Sequence, residues 1–298
     1  MLAVFAPLAG ALITFMNNVN SGLAGRVGTL VACLVIHLAG LATVSILILA
    51  LRGARRGEPA RPGALKPWLY AGGVVGVGTV YSSAFAFSSL GASLAVALAL
   101  LGQTFFSVAA DATGFLGREK RPLSARRLPG ICLALAGAAI MVRDLRGNAP
   151  AILAGLAAGL LPGFSTLVNA ELGRAKGLLR SARINYLGGL AATLALVALV
   201  RPDLAEGARG TIAAGPLLAL GGGVTGLATV VSMNFIFARM SAFSATLLVF
   251  GGEILAGVAI DAAVAGSFDP RKLAGAAALL AGFAADALLA RRARRSDA

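Results

Sequence analysis

The chain has 298 residues, 58% of them hydrophobic and only 13% charged, with a mean hydropathy of +0.87. A soluble core has no use for that much apolar surface, so soluble enzyme folds are excluded and an integral membrane protein is expected. The net charge of +14 does not point to nucleic acid, because the Lys and Arg residues gather at the ends of apolar runs and form no basic face interleaved with aromatics.

In chain order, apolar runs bounded by charge, Pro or polar clusters predict helices over residues 2–18, 27–51, 68–87, 90–114 and 128–143. A second set follows over residues 150–168, 178–200, 213–237, 241–264 and 273–290. Each run suits a span of roughly 20 residues, and strand alternation is absent, so the backbone can satisfy its polar groups in lipid only as helices. The first run starts at Leu2 and precedes the first basic residue, Arg26, which predicts a permanent span rather than a cleaved signal peptide. Cys33 and Cys132 each lie inside an apolar run and indicate neither a disulfide framework nor a metal site.

The two sets of five read as copies. Gly72-Gly73-Val74-Val75-Gly76 returns as Gly222-Gly223-Val224-Thr225-Gly226, followed by Ser82, Phe85 and Phe87 answering to Ser232, Phe235 and Phe237. Asn20, Leu23, Gly28, Leu30, Leu38, Gly40 and Leu41 return as Asn169, Leu172, Gly177, Leu179, Leu187, Gly189 and Leu190. Gly102-Gln103 answers to Gly252-Glu253, and Asp111 to Asp261. A repeat with an odd number of spans must insert its second copy upside down. The expected fold is therefore an all-α membrane protein of ten transmembrane helices in two inverted five-helix repeats, residues 1–147 and 148–298. Basic clusters at 52–66, 118–127, 174–183 and 291–295 fall on one side in this arrangement, which predicts that both termini are cytoplasmic.

Two opposed five-helix repeats resemble the drug/metabolite transporter superfamily. The details are similar to its YdcZ-like branch of bacterial inner-membrane proteins: Val27 to Ala32 after an early Asn, a Gly-rich third span, and a stretch from Gly102-Gln103 through Asp111, Gly114 and Gly117 to Arg121-Pro122. The second copy departs from that pattern, with Glu253 in place of the Gln and no Arg-Pro. Many members of the branch are single five-helix units, so this chain looks like a fused pair. The resemblance implies transport, a location in the inner membrane and no named cargo.

No phosphate-binding loop, zinc-protease motif, nucleophile elbow or Cys/His cluster is present, so neither ATP hydrolysis nor an intramembrane hydrolase is expected, and no cofactor or metal. Glu253 lies near the middle of the ninth span, where an ionised carboxylate costs at least about 2.5–3.5 kcal/mol. It is either a proton carrier that also meets cargo or a neutral acid that bonds two helices together. Gln103, its repeat equivalent, is either a cargo contact or an interhelical amide bond. Asn20 and Asn169, with Asn17, Asn18 and Glu171, are expected to close the first and sixth spans, as helix caps or as ligands at a cavity mouth. His37, the only histidine, and its equivalent Tyr186 are packing groups or cargo contacts. Gly72, Gly76, Gly222 and Gly226 allow close backbone approach, static or rocking.

The expected function is a secondary carrier that moves a small organic molecule by alternating access, with protons coupled through Glu253 and a cavity between the inverted halves. The partners are cargo, lipid and protons; nucleic acid is not expected and an obligate homodimer is not required. The alternatives are a non-transporting scaffold or regulatory protein that shares the fold, since fold alone does not fix function, and, with no catalytic set in view, a lipid-modifying enzyme.

Overall fold

The computed structural model describes residues 2–51, 66–115, 128–141, 149–237, 242–265 and 270–296. Among these residues every regular element is helical. The first half carries α1 (Leu2–Val27), α2 (Thr29–Ala50), a 3-10 turn at Pro67–Tyr70, α3 (Gly72–Leu90), α4 (Ala92–Thr113) and α5 (Leu128–Met141). The second carries α6 (Ala149–Lys176), α7 (Leu178–Val200), α8 (Leu204–Ala213), α9 (Pro216–Phe237), α10 (Ala242–Ala265) and α11 (Pro270–Ser296).

Each expected span coincides with one long helix. Five helical stretches are long and apolar enough to cross a bilayer by length and composition: 29–50, 72–90, 149–173, 178–200 and 216–233. Exposed apolar side chains such as Ile46, Leu199 and Val264 suit contact with lipid rather than water.

Two features differ from the expectation. First, α1 and α6 do not end at their asparagines; they run on to Val27 and Lys176, so Asn17, Asn18, Asn20 and Asn169 lie inside helices and cap nothing. A polar side chain does not stop a helix whose backbone bonds continue. What stops these two is a glycine at the left-handed φ of +78° (Gly28) and +83° (Gly177), a backbone turn that a side chain would strain. Second, α8 was not expected. It is a short segment with a polar sequence, begun by Asp203, whose carboxylate accepts from the backbone N–H groups of Ala205 and Glu206 at 2.9 Å each.

The packing divides the chain into two compact units, each drawing on both halves of the sequence. One comprises Met1–Thr14, Ser89–Leu160 and Met233–Ala298. In it α5 packs along α11, and α4 along α10. Gly137 makes the α5–α11 approach possible, since a Cβ there would meet the backbone of Gly275 and Leu279. The other unit comprises Phe15–Ser88 and Leu161–Ser232. Here α2 packs along α7, and α8 rests on α2 through Gly207 and Val31. Its interior holds one apolar cluster of Leu23, Ala24, Ala32, Ile36 and Ala84 and another of Val44, Leu179, Ala182 and Leu227.

Candidate functional site

The six candidate cargo residues fall in two groups. Gln103 and Glu253 belong to the first unit, and Asn20, Asn169, His37 and Tyr186 to the second.

Glu253 projects from α10 where that helix crosses the start of α1. The crossing is close because both helices are smooth there. A Cβ on Gly252 would overlap the carbonyl of Pro7, and a Cβ on Gly10 would overlap the carbonyl of Val249 and lie 2.9 Å from the backbone nitrogen of Glu253. One turn further along α1, the Thr14 hydroxyl donates to the Glu253 carbonyl at 3.0 Å, in a fully buried bond. The Glu253 side chain is itself buried, at 8% exposure. Among the described residues no hydrogen bond or ion pair reaches its carboxyl.

The same geometry recurs around Gln103. A Cβ on Gly102 would overlap the carbonyl of Leu156 on α6, and one on Gly159 would overlap the carbonyl of Ala99 and crowd the backbone nitrogen of Gln103. Leu156, Gly159 and Ala99 are the repeat counterparts of Pro7, Gly10 and Val249. The α6–α4 crossing thus copies the α1–α10 crossing, with an amide where its counterpart has an acid.

Near the far end of α10, Asp261 reaches the first residues of α4. Its carboxylate accepts from the backbone N–H of Ala92 at 2.6 Å, from that of Ser93 at 3.1 Å and from the Ser93 hydroxyl. Those N–H groups have no partner inside their own helix, so a carboxylate from another helix serves as the cap. The side chain of Asp111, its repeat counterpart, lies outside the described residues.

The second unit is built from a further set of reciprocal contacts. The His37 ring lies against Gly189, and the ring of its counterpart Tyr186 lies against Gly40, the counterpart of Gly189. His37 Nδ1 is 2.7 Å from the carbonyl of Cys33; since a carbonyl only accepts, Nδ1 carries the proton. The Thr193 hydroxyl, which donates to the Gly189 carbonyl at 2.7 Å, stands 3.5 Å from both Cys33 Sγ and His37 Nδ1. The Tyr186 hydroxyl donates to the Gly223 carbonyl at 3.4 Å.

The asparagines are paired in the same manner. Asn20 Oδ1 lies against Gly222 and Asn169 Oδ1 against Gly72. Asn185, which sequence reasoning passed over, brings its Oδ1 to the same face of Gly72. All three amide oxygens are buried and lack a hydrogen-bond donor, as does the hydroxyl of Thr229. Asn169 is fixed by its own amide nitrogen, which donates to Ser165 Oγ at 3.1 Å, while Ser165 donates to the Gly72 carbonyl at 3.3 Å.

Comparison with known proteins bears on what such a helical chain does. A family model described as "Putative inner membrane exporter, YdcZ" matches residues 1–140 and 150–285. The chain belongs to that family. YdcZ membership agrees with its apolar helices and supports a membrane setting and a transport role. A protein solved by crystallography shares the fold of this YdcZ chain, with a TM-score of 0.58 and 18% identity over 97% of both chains. No curated protein matches it. Among the described residues no group of three or more His, Cys, Asp or Glu side chains could hold a metal ion.

One signal for Asn185 was present in the sequence. It answers to Ile36 at the same offset that relates Asn20 to Asn169. A position that is apolar in one copy and polar in the other falls outside the pattern of agreeing residues on which the internal similarity rests.

Proposed function

We propose that the protein is a secondary carrier that exports a small organic molecule across the bacterial inner membrane by alternating access, exchanging protons at Glu253. Its two halves, residues 1–147 and 148–298, act as inverted copies, with both termini cytoplasmic and one chain sufficient for transport. Three features support the duplication: the family model matches one stretch in each half, the crossings at Gly10 and Gly159 use equivalent residues, and the contacts of His37 and Tyr186 are reciprocal.

The observation that carries the mechanism is the Glu253 carboxyl, buried at a tight helix crossing with no hydrogen-bond or ion-pair partner among the described residues. A structural acid that merely joins two helices would have such a partner, because an unsatisfied polar group in an apolar interior costs several kcal/mol, on the order of 2–7. An acid that must take up and release a proton or a cargo group in turn is left unpaired between those events. Intramembrane acids in general mark ion and proton pathways. Gln103, its uncharged counterpart, makes the arrangement asymmetric, so a single proton is exchanged per cycle.

The test is transport in proteoliposomes carrying a pH gradient, supplied with a defined mixture of amino acids, amines, polyols and nucleosides and analysed by mass spectrometry. The wild type accumulates at least one member of the mixture when the gradient is imposed. Glu253→Ala abolishes that accumulation, and Glu253→Gln, which cannot titrate, retains at most exchange that ignores the gradient. Full gradient-driven accumulation by Glu253→Gln rejects the proton role. Absence of any accumulation by the wild type rejects the carrier reading itself.

A further inference from the structure

The helix α8 is too short to cross a bilayer. Its 10 residues extend over about 15 Å, half of a hydrocarbon core of about 30 Å. Yet it is tied at both ends to helices that are long and apolar enough to cross, α7 over 178–200 and α9 over 216–233. Residues 201–203 join it to α7 and residues 214–215 to α9, so each end of α8 lies within roughly 14 Å of the end of a span. The chain turns at both joints through left-handed backbone, at Arg201 (φ +52°) and Gly215 (φ +83°). Its height is set by α2: Gly207 lies against Val31, in the first turn of that apolar helix, and Gly210 lies against Val27, the last residue of α1. α8 therefore stands beside the end of a span and not out in solvent beyond it.

Although α8 is polar as a whole beside the spans, its side chains sort into three sides, each roughly a third of a turn from the next at about 3.6 residues per turn. Gly207 and Gly210 face α2 and the end of α1. Leu204, Ala208 and Ile212, four residues apart, form the second side, and all are exposed, Ile212 at 80%. Glu206 and Arg209, also exposed, form the third. Thr211, at the border of the first two sides, donates its hydroxyl to the Gly207 carbonyl at 2.8 Å and so needs no partner outside the helix. The exposed apolar surface does not stop at α8. Leu199 and Val200 in the last turn of α7, and Leu217 and Leu220 in the first turns of α9, are exposed as well.

We propose that Leu204, Ala208 and Ile212 seat α8 on the lipid bilayer, the helix lying in the plane of the interface with Glu206 and Arg209 in the water. The occupant is lipid because the stripe continues the exposed apolar ends of two membrane-crossing helices, one on each side of it in the chain. A helix with one apolar and one charged side at such a boundary buries the apolar side about 5–10 Å into the zone between headgroups and acyl chains. The polar side carries one acid and one base, so zwitterionic lipid suffices and added salt does not release the helix. Through Gly207 and Gly210 the same helix ties the corner between α1 and α2 to the membrane surface. The proposal needs a membrane but no transport, and so is independent of Glu253.

The full chain is reconstituted in phosphatidylcholine vesicles at no more than one copy per vesicle, with the only tryptophan, Trp68, replaced by Phe. Leu204→Trp and Ile212→Trp each lose about half or more of their emission to phosphatidylcholine brominated on its upper acyl carbons, and little to iodide present on both sides of the membrane. Arg209→Trp shows the reverse, and the pattern is the same at high salt. Should a tryptophan variant fail to fold, the wild-type chain is labelled by phosphatidylcholine bearing a diazirine on its upper acyl chain, and adducts mapped by mass spectrometry fall on Leu204, Ala208 and Ile212 but not on Glu206 or Arg209. Quenching of Ile212→Trp by iodide as readily as Arg209→Trp puts the stripe in water and overturns the proposal. Protection from both quenchers puts a protein surface over the stripe, and adducts spread evenly around the helix remove its orientation; either result overturns it too.

Discussion

Replacing Gly10 with Ala tests the crossing that presents Glu253. A Cβ at that position overlaps the Val249 carbonyl and comes within 2.9 Å of both its carbon and the Glu253 nitrogen. Unstrained heavy atoms sit about 3.5–4.0 Å apart. The obstructing atoms are backbone, which no rotamer change can move, so α1 and α10 must part by about 1 Å. A gap of that size forfeits roughly a quarter to a half of the dispersion energy along the contact and stretches the bond from Thr14. Overpacking of this kind costs about 1–3 kcal/mol. The control is Gly76→Ala, where the new methyl meets no atom within 4 Å and the helix gains about 0.8–1.0 kcal/mol in propensity. The two changes are chemically identical and opposite in sign. The assay is unfolding of the purified protein in mild detergent by increasing denaturing detergent, followed by loss of helical circular dichroism. Equal stability of Gly10→Ala and Gly76→Ala would refute the claim that backbone contact, rather than side-chain packing, sets the α1–α10 distance.

Two further changes probe helix ends. Asp261→Ala leaves the first N–H groups of α4 without their cap and should cost about 1–3 kcal/mol in the same unfolding assay, while Asp261→Asn, which still offers one acceptor oxygen, should recover part of the loss. Asp203→Ala removes the cap of α8 and should lower the stability of that helix by about 1 kcal/mol; hydrogen exchange should speed up over residues 204–213 and stay unchanged in α2 and α7.

The apolar runs were legible in the sequence because a helix in lipid needs only length and the absence of charge. Those two properties are local and additive along the chain. The internal similarity was legible for a different reason. Gly72, Gly102, Gly222 and Gly252 stand at crossings where a side chain would collide, so the two copies could not drift freely at these positions, and the pattern survives as a repeat. Less was legible at helix ends. Asn20 and Asn169 resemble caps in composition, yet α1 and α6 continue through them and end only at Gly28 and Gly177. Composition around a polar cluster does not say whether the backbone bonds continue beneath it. The helix at Leu204–Ala213 escaped because it lies between apolar runs and is itself polar.

The sequence alone determined that this is a helical membrane protein whose apolar runs carry an internal similarity, since hydropathy, periodicity and internal identity are carried by the order of residues. Only the tertiary structure decided which of two equivalent helix faces is filled and which is open. Ile36 against Asn185, and Met16 against Ser165, are unremarkable as single letters. Their meaning depends on which glycine of the facing helix they meet, and that is a property of packing between segments far apart in the chain.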